Sequence, residues 1–167
     1  MKPMNRQGAL LLAVAVLAAP VAGAFDVDGA VALYKDGKYG EAEAALRAES
    51  GPEAAAYLAA SLAKQKKYAE AETAAKAALE QAANHEVAVG ALGEALVGQK
   101  KYDEAVDRLS AVIKAKPDVP YAYYWRAQAH YNKKQADRMV ADYETFLKLA
   151  PKYPESQSVQ QLLSSLR

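Results

Sequence analysis

Apolar positions along this chain recur with a helical period, and one stretch shows the pattern most clearly. In Tyr102–Pro117, Ala105, Leu109, Val112 and Ile113 fall at i, i+4, i+7 and i+8, which puts them on one face of a helix. Asp103 and Glu104 sit in its first turn and Lys114 and Lys116 in its last, as the helix dipole favours. Pro117 ends it. The same text recurs as Tyr68-Ala-Glu-Ala-Glu and Tyr39-Gly-Glu-Ala-Glu, with a fainter copy from Ala136 to Pro151. Each copy follows another apolar helical segment, so the pattern predicts paired amphipathic helices repeated along the chain.

Tyr68 and Tyr102 are 34 residues apart, as are Pro117 and Pro151. A two-helix unit of that period is a repeat signature. The unit over 86–119 is the richest, with Val89, Leu92, Gly93, Leu96, Tyr102, Ala105, Leu109 and Pro117 at its key places. Gly inside a helix costs about 1 kcal/mol against Ala, so Gly93 predicts close packing; with Ala105 it is expected to let the two helices of its own pair approach. Gly90 and Gly98 have no such expected role. The unit over 52–85 keeps Ala55, Leu58, Ala59, Leu62, Tyr68, Ala71 and Ala78. The unit near 25–51 is short, and Gly37 can close its first helix with a left-handed cap. The unit over 120–152 keeps Tyr123, Ala127, Tyr143, Phe146 and Pro151, but has Ala136 and Met139 where the pattern asks for Tyr and Ala. A last helix over 154–167, expected to open at Pro154, carries Val159, Leu162, Leu163 and Leu166 on one face and polar residues on the other, as a capping helix should.

On these residues the chain resembles the tetratricopeptide repeat family, and its N-terminus, read below, marks it as a bacterial, exported member. The resemblance implies an all-α fold: a right-handed superhelical solenoid of antiparallel helix pairs, closed by the C-terminal cap, with a concave groove lined by the first helix of each pair. Carried onto this sequence, groove positions in the fourth unit are Tyr121, Tyr124, Gln128, Tyr131 and Asn132; Glu94 stands in the third unit, and Tyr34 comes from the first. These are the candidate partner-binding residues. The first four of the fourth-unit set also follow helical spacing, and small residues at Gly90, Ala56 and Ala60 leave the middle of the groove open. The alternative is that the cap covers the tyrosines as core. The family's basic clamp for a C-terminal carboxylate is absent, since Tyr124, Gln128 and Asn132 stand where Lys and Asn would act together.

Residues 1–24 read as a signal peptide: Lys2 and Arg6, an apolar run from Ala9 to Ala19, and Ala22-Gly23-Ala24 as a cleavage site. The run is too short for a bilayer span and is broken by Pro20. The chain has no cysteine, so a helical core must hold the exported domain, 25–167, without disulfides. This predicts a periplasmic or secreted protein that is not membrane-spanning once cleaved. Removing Lys2 and Arg6 takes the formal charge from +1 to −1, which gives no overall pull on nucleic acid.

Candidate chemistry is sparse. There are 2 histidines, His85 and His130, without metal-ligand spacing, so no metal or cofactor is expected. His85 suits a helix start and His130 a packing position. Glu41/Glu43, Glu70/Glu72 and Asp103/Glu104 recur at the start of each second helix, where the dipole accounts for them better than a single active site does. Phosphate-loop, nucleophile-elbow and zinc-protease motifs are missing, so catalysis is not expected. Lysines gather at the turns (Lys35 and Lys38; Lys64, Lys66 and Lys67; Lys100 and Lys101; Lys133 and Lys134), either as residues closing each first helix or as a basic ridge for an anionic partner. The function expected is an adaptor of the cell envelope that holds a peptide or helix of a partner protein in the groove. The alternative is a module that stacks a cell-wall polymer or other glycan on the groove tyrosines.

Overall fold

Helix ends are written into the chain at regular intervals, and they cut it into pairs. In a computed structural model that describes residues 26–166, the helices are α1 (Val27–Lys35), α2 (Tyr39–Leu46), α3 (Pro52–Lys64), α4 (Tyr68–Gln81), α5 (Glu86–Gly98), α6 (Tyr102–Ala115), α7 (Pro120–Asn132), α8 (Ala136–Leu149) and α9 (Ser156–Ser165). The leader read over 1–24 lies outside the described residues. Among the described residues no helix is long and apolar enough to cross a membrane. Asp26 caps α1 by accepting from the Gly29 N–H at 2.8 Å. Pro52 and Pro120 open α3 and α7, where a missing N–H costs nothing.

Each first helix closes in the same way. Gly37, Lys66, Lys100 and Lys134 adopt left-handed φ values of 78°, 62°, 61° and 57°. Around them the Lys100 N–H donates to Val97 O and the Lys101 N–H to Leu96 O, both at 2.9 Å, with equivalent pairs at the other three turns. This is a double-bonded helix stop that normally favours Gly. Three of the turn lysines, Lys66, Lys100 and Lys134, stand at this left-handed position.

Consecutive helices contact each other, and α1, α3, α5 and α7 also contact in series, so the first helices form an inner layer and the second helices an outer one. The arrangement is an all-α, right-handed solenoid of helix pairs. Its core runs through Leu46, Leu62, Val89, Leu92, Leu96 and Leu109, and ends in Tyr143, Phe146 and the α9 residues Val159 and Leu163. Within that core α3 is largely Ala on its buried face.

The first two junctions between pairs carry a buried carboxylate. Glu43 accepts from Lys67 Nζ (2.8 Å), Gln65 Nε2 (2.7 Å) and its own helix's Arg47 (2.8 Å). One unit later Glu72 accepts from Lys101 Nζ and Gln99 Nε2, both at 2.7 Å, and from Lys76. The hydrogen bond from Lys67 is the main reason that Glu43 stays ionised down to about 2. For Glu72, burial works the other way, but hydrogen bonds from Lys101, Lys76 and Gln99 outweigh it and again bring the carboxyl to about 2. Glu41 and Glu70 do lie in first turns, as the dipole reading holds. Glu43 and Glu72 instead clasp the next pair. At the third junction Val106 takes the place of the glutamate, and Arg126 bridges Asp142 (2.6 Å) and Ser110 (2.9 Å).

The last helix starts at Ser156, not at Pro154. The Ser156 hydroxyl donates to Ala150 O at 2.6 Å, and its N–H to Tyr153 O at 3.0 Å. These bonds hold Tyr153, Pro154 and Glu155 as a turn that faces the inner layer.

Candidate functional site

The inner layer encloses a groove of about 460 Å³ that draws on α1, α2, α3, α5, α7 and the 153–155 turn. At one wall the Tyr34 ring meets Tyr39 (5.4 Å between centroids) and Tyr57 edge-on (5.3 Å). Burial raises the Tyr34 hydroxyl pKa. Across the floor Lys64 Nζ pairs with Glu94 Oε2 at 2.8 Å. Burial works against the Lys64 ammonium, but the Glu94 carboxylate prevails and holds its pKa above the usual lysine range.

The opposite wall is Tyr121 and Trp125 of α7, and glycines in α5 make room for both. A Cβ at Gly93 would lie 2.4 Å from Trp125 Cβ, so only glycine lets the indole sit there. At Gly90 a Cβ would meet the Tyr121 ring at 3.4 Å, an ordinary contact. Gly93 thus serves the contact with the next pair's first helix, not the crossing within its own pair. Gly98 also has a packing role: a Cβ there would lie 2.5 Å from Tyr68 Cζ. The groove is closed at this end by the 153–155 turn, where Tyr153 donates to Glu86 at 2.6 Å and its ring lies 5.3 Å from Tyr121. The Tyr121 hydroxyl faces Glu155 at 3.3 Å; burial first, and then that carboxylate, raises its pKa.

This lining of first helices, small residues and aromatic walls is one repeat's geometry used in series, and family comparison agrees. Tetratricopeptide repeat models match residues 62–131 and 120–153. The chain carries tetratricopeptide repeats. Solved structures similar to it include MamA MSR-1 (22% identity, 83% of this chain and 84% of that one, TM-score 0.57). Another is MamA 41-end from Desulfovibrio magneticus RS-1 (20% identity, 86% and 94%, TM-score 0.59). A third is YrrB, described as a TPR protein with an unusual peptide-binding site (17% identity, 80% and 71%, TM-score 0.62). At such identities the likeness is one of fold. No curated protein matches the chain.

Within this tetratricopeptide solenoid the candidate residues separate into three places. Tyr34, Glu94 and Tyr121 line the groove. Tyr124 turns its ring onto Phe146 (5.2 Å), Trp125 (5.1 Å) and Tyr143 (6.0 Å), and Gln128 donates to its hydroxyl at 3.4 Å; neither is in the lining of the groove cavity. Tyr131 and Asn132 lie at the far end of α7, in a second pocket. The groove adds Tyr57, Trp125 and Glu155, which the repeat pattern did not single out as a site, and Lys64, which stands at the second unit's groove position. Tyr57 and Lys64 are i and i+7 on α3, a spacing that would have shown them on one face. His85 Nε2 lies 2.7 Å from Glu53, and His130 is buried with Nδ1 2.7 Å from Gln135 Oε1, so both bind within the fold.

Proposed function

We propose that the chain is a non-catalytic adaptor of the bacterial envelope, exported behind residues 1–24 and cut near Ala24, and that it holds a peptide or short helix of a partner protein in the inner groove. The observation that carries this reading is the groove itself. Five aromatic side chains, Tyr34, Tyr39, Tyr57, Tyr121 and Trp125, stand around a partly buried ion pair. Rigid aromatic walls supply contact area at small entropic cost, and Lys64 and Glu94 offer one donor and one acceptor to a polar backbone or side chain. The fold likeness to YrrB, a peptide-binding repeat protein, supports it. A glycan of the wall polymer would use the same ring faces, and the indole of Trp125 gives that alternative its footing.

Capture from envelope extract tests the reading. A protein band retained by the wild type and lost in Tyr57→Ala supports the adaptor; retention on purified wall material in its place supports the glycan. An anchor tyrosine commonly contributes about 2 kcal/mol or more, roughly thirtyfold in affinity. Sequencing the N-terminus of the exported form checks the leader, with Phe25 as the expected first residue.

A further inference from the structure

In the first three pairs the second helix opens on a tyrosine, Tyr39, Tyr68 and Tyr102; in the fourth, α8 opens on Ala136. The structure shows what that tyrosine does. The Tyr68 ring lies over Gly98 at the end of α5, the first helix of the next pair, so closely that a Cβ on Gly98 would meet it. The residue 34 positions after Asn132 and 68 after Gly98 in this register is Leu166, at the end of α9. With Ala136 in place of the ring, the space between α8 and α9 is left open. It forms a pocket of about 500 Å³ bounded by Tyr131, Ala136, Met139 and Leu166. Tyr131 and Leu166 are 58% and 56% exposed, two of the three large apolar side chains on the described surface, and both stand at this rim. Lys134 lines the same pocket and has no ion-pair partner among the described residues, whereas Lys133 beside it is paired with Asp103.

We infer that this pocket is a second recognition site, distinct from the groove, which receives an aromatic side chain of a partner segment with a carboxylate next to it. The chain itself specifies the occupant's shape: the phenol ring of Tyr68 fills the equivalent place over Gly98. A ring entering from outside would pack against the buried Met139 and bury the exposed edges of Tyr131 and Leu166. Its neighbouring carboxylate would meet Lys134, which the left-handed turn holds at the rim. Concave, mostly apolar pockets of this size with one convergent charge are typical ligand sites.

N-acetyl-tyrosine, titrated into the full chain and followed through the Ala136 and Met139 methyl signals, is the direct probe. Saturable shifts there that vanish in Ala136→Tyr are the expected result. That variant restores the residue found at three other junctions and so keeps the fold. N-acetyl-tyrosinamide should bind roughly two- to fivefold more weakly, the effect of one exposed ion pair. Lys134→Gly, which suits the left-handed backbone, should erase that difference and leave ring binding intact. Shifts that persist in Ala136→Tyr, equal binding of N-acetyl-leucine, or no saturable shift at these methyls would overturn the site. An acid-over-amide preference that survives in Lys134→Gly would overturn the carboxylate part.

Discussion

The first two junctions of this solenoid and the third join the same helical units by different physics. Between the first and second pairs, and again between the second and third, a buried glutamate gathers a Lys, a Gln and a second cation. The helices there are alanine-rich and bring little bulk. Between the third and fourth pairs the glutamate is Val106, and the contact is made by bulk: Trp125 seated on Gly93, with Tyr124, Phe146 and Tyr143 behind it. Backbone geometry tolerates either solution, because each junction needs only that its buried polar groups be satisfied and its space be filled. The polar junctions gain orientation from hydrogen bonds but little area. The aromatic junction gains area and also presents its outer rings to the groove.

The sharpest way to break the aromatic junction is a single methyl. Gly93→Ala should lower stability by about 2 kcal/mol or more, because Trp125 Cβ cannot give way as a side-chain tip could. Gly90→Ala, one turn away, should raise it by up to about 1 kcal/mol through helix propensity. Thermal melting of the two variants decides between them; changes of the same sign would show that α5 faces α7 differently.

The polar junctions should fail in acid. The folded carboxyls of Glu43 and Glu72 titrate at about 2, below the unfolded value of about 4.3. Their contribution is therefore complete above about pH 5 and is lost as pH falls toward 2. The double variant Glu43→Gln, Glu72→Gln should be less stable at neutral pH, by about 1–3 kcal/mol for each lost charged hydrogen-bond set, and its stability should fall less steeply between pH 5 and 2. Denaturant melts across that range test this. A limb as steep as the wild type's would assign the acid response to other carboxylates.

Reversing the groove charge with Lys64→Glu should leave the melting temperature within a few degrees, since a partly exposed pair contributes about 1 kcal/mol at most. It should nevertheless weaken partner capture, because two carboxylates would then face the ligand. The smallest effect is expected at the turns common to both kinds of junction. Lys100→Gly relieves a left-handed lysine and should gain up to about 1 kcal/mol, less the extra freedom of glycine when unfolded. Lys100→Ala should gain nothing, which makes the pair of variants a test of backbone strain rather than of charge.

The linear pattern determined a good deal of this protein. A 34-residue period, an apolar face at helical spacing and prolines at helix starts are local properties, and they fix helix pairs in series before any tertiary contact is known. The solenoid follows, because each apolar face must be buried against the next unit. Tyr34, Glu94 and Tyr121 were legible as groove residues for the same reason: position in the repeat says which layer a side chain faces. Contacts between units could not be read this way. Gly93 marked a close approach, but periodicity does not say whether the neighbour is α6 or α7. Tyr121 and Tyr124 are three residues apart on one helix, yet one lines the groove and the other joins the core, because Phe146 and Tyr143 of α8 lie under the second. The left-handed backbone of Lys66, Lys100 and Lys134 was not legible, because that conformation leaves no mark on residue type unless glycine stands there, as it does at Gly37. Glu43 and Glu72 differ from Glu41 and Glu70 by two places in the sequence, and only the stacking of the next pair turned them inward to meet its Gln and Lys. The sequence by itself set which faces must be buried; the tertiary structure decided against what, since that depends on side chains one unit away rather than one turn away.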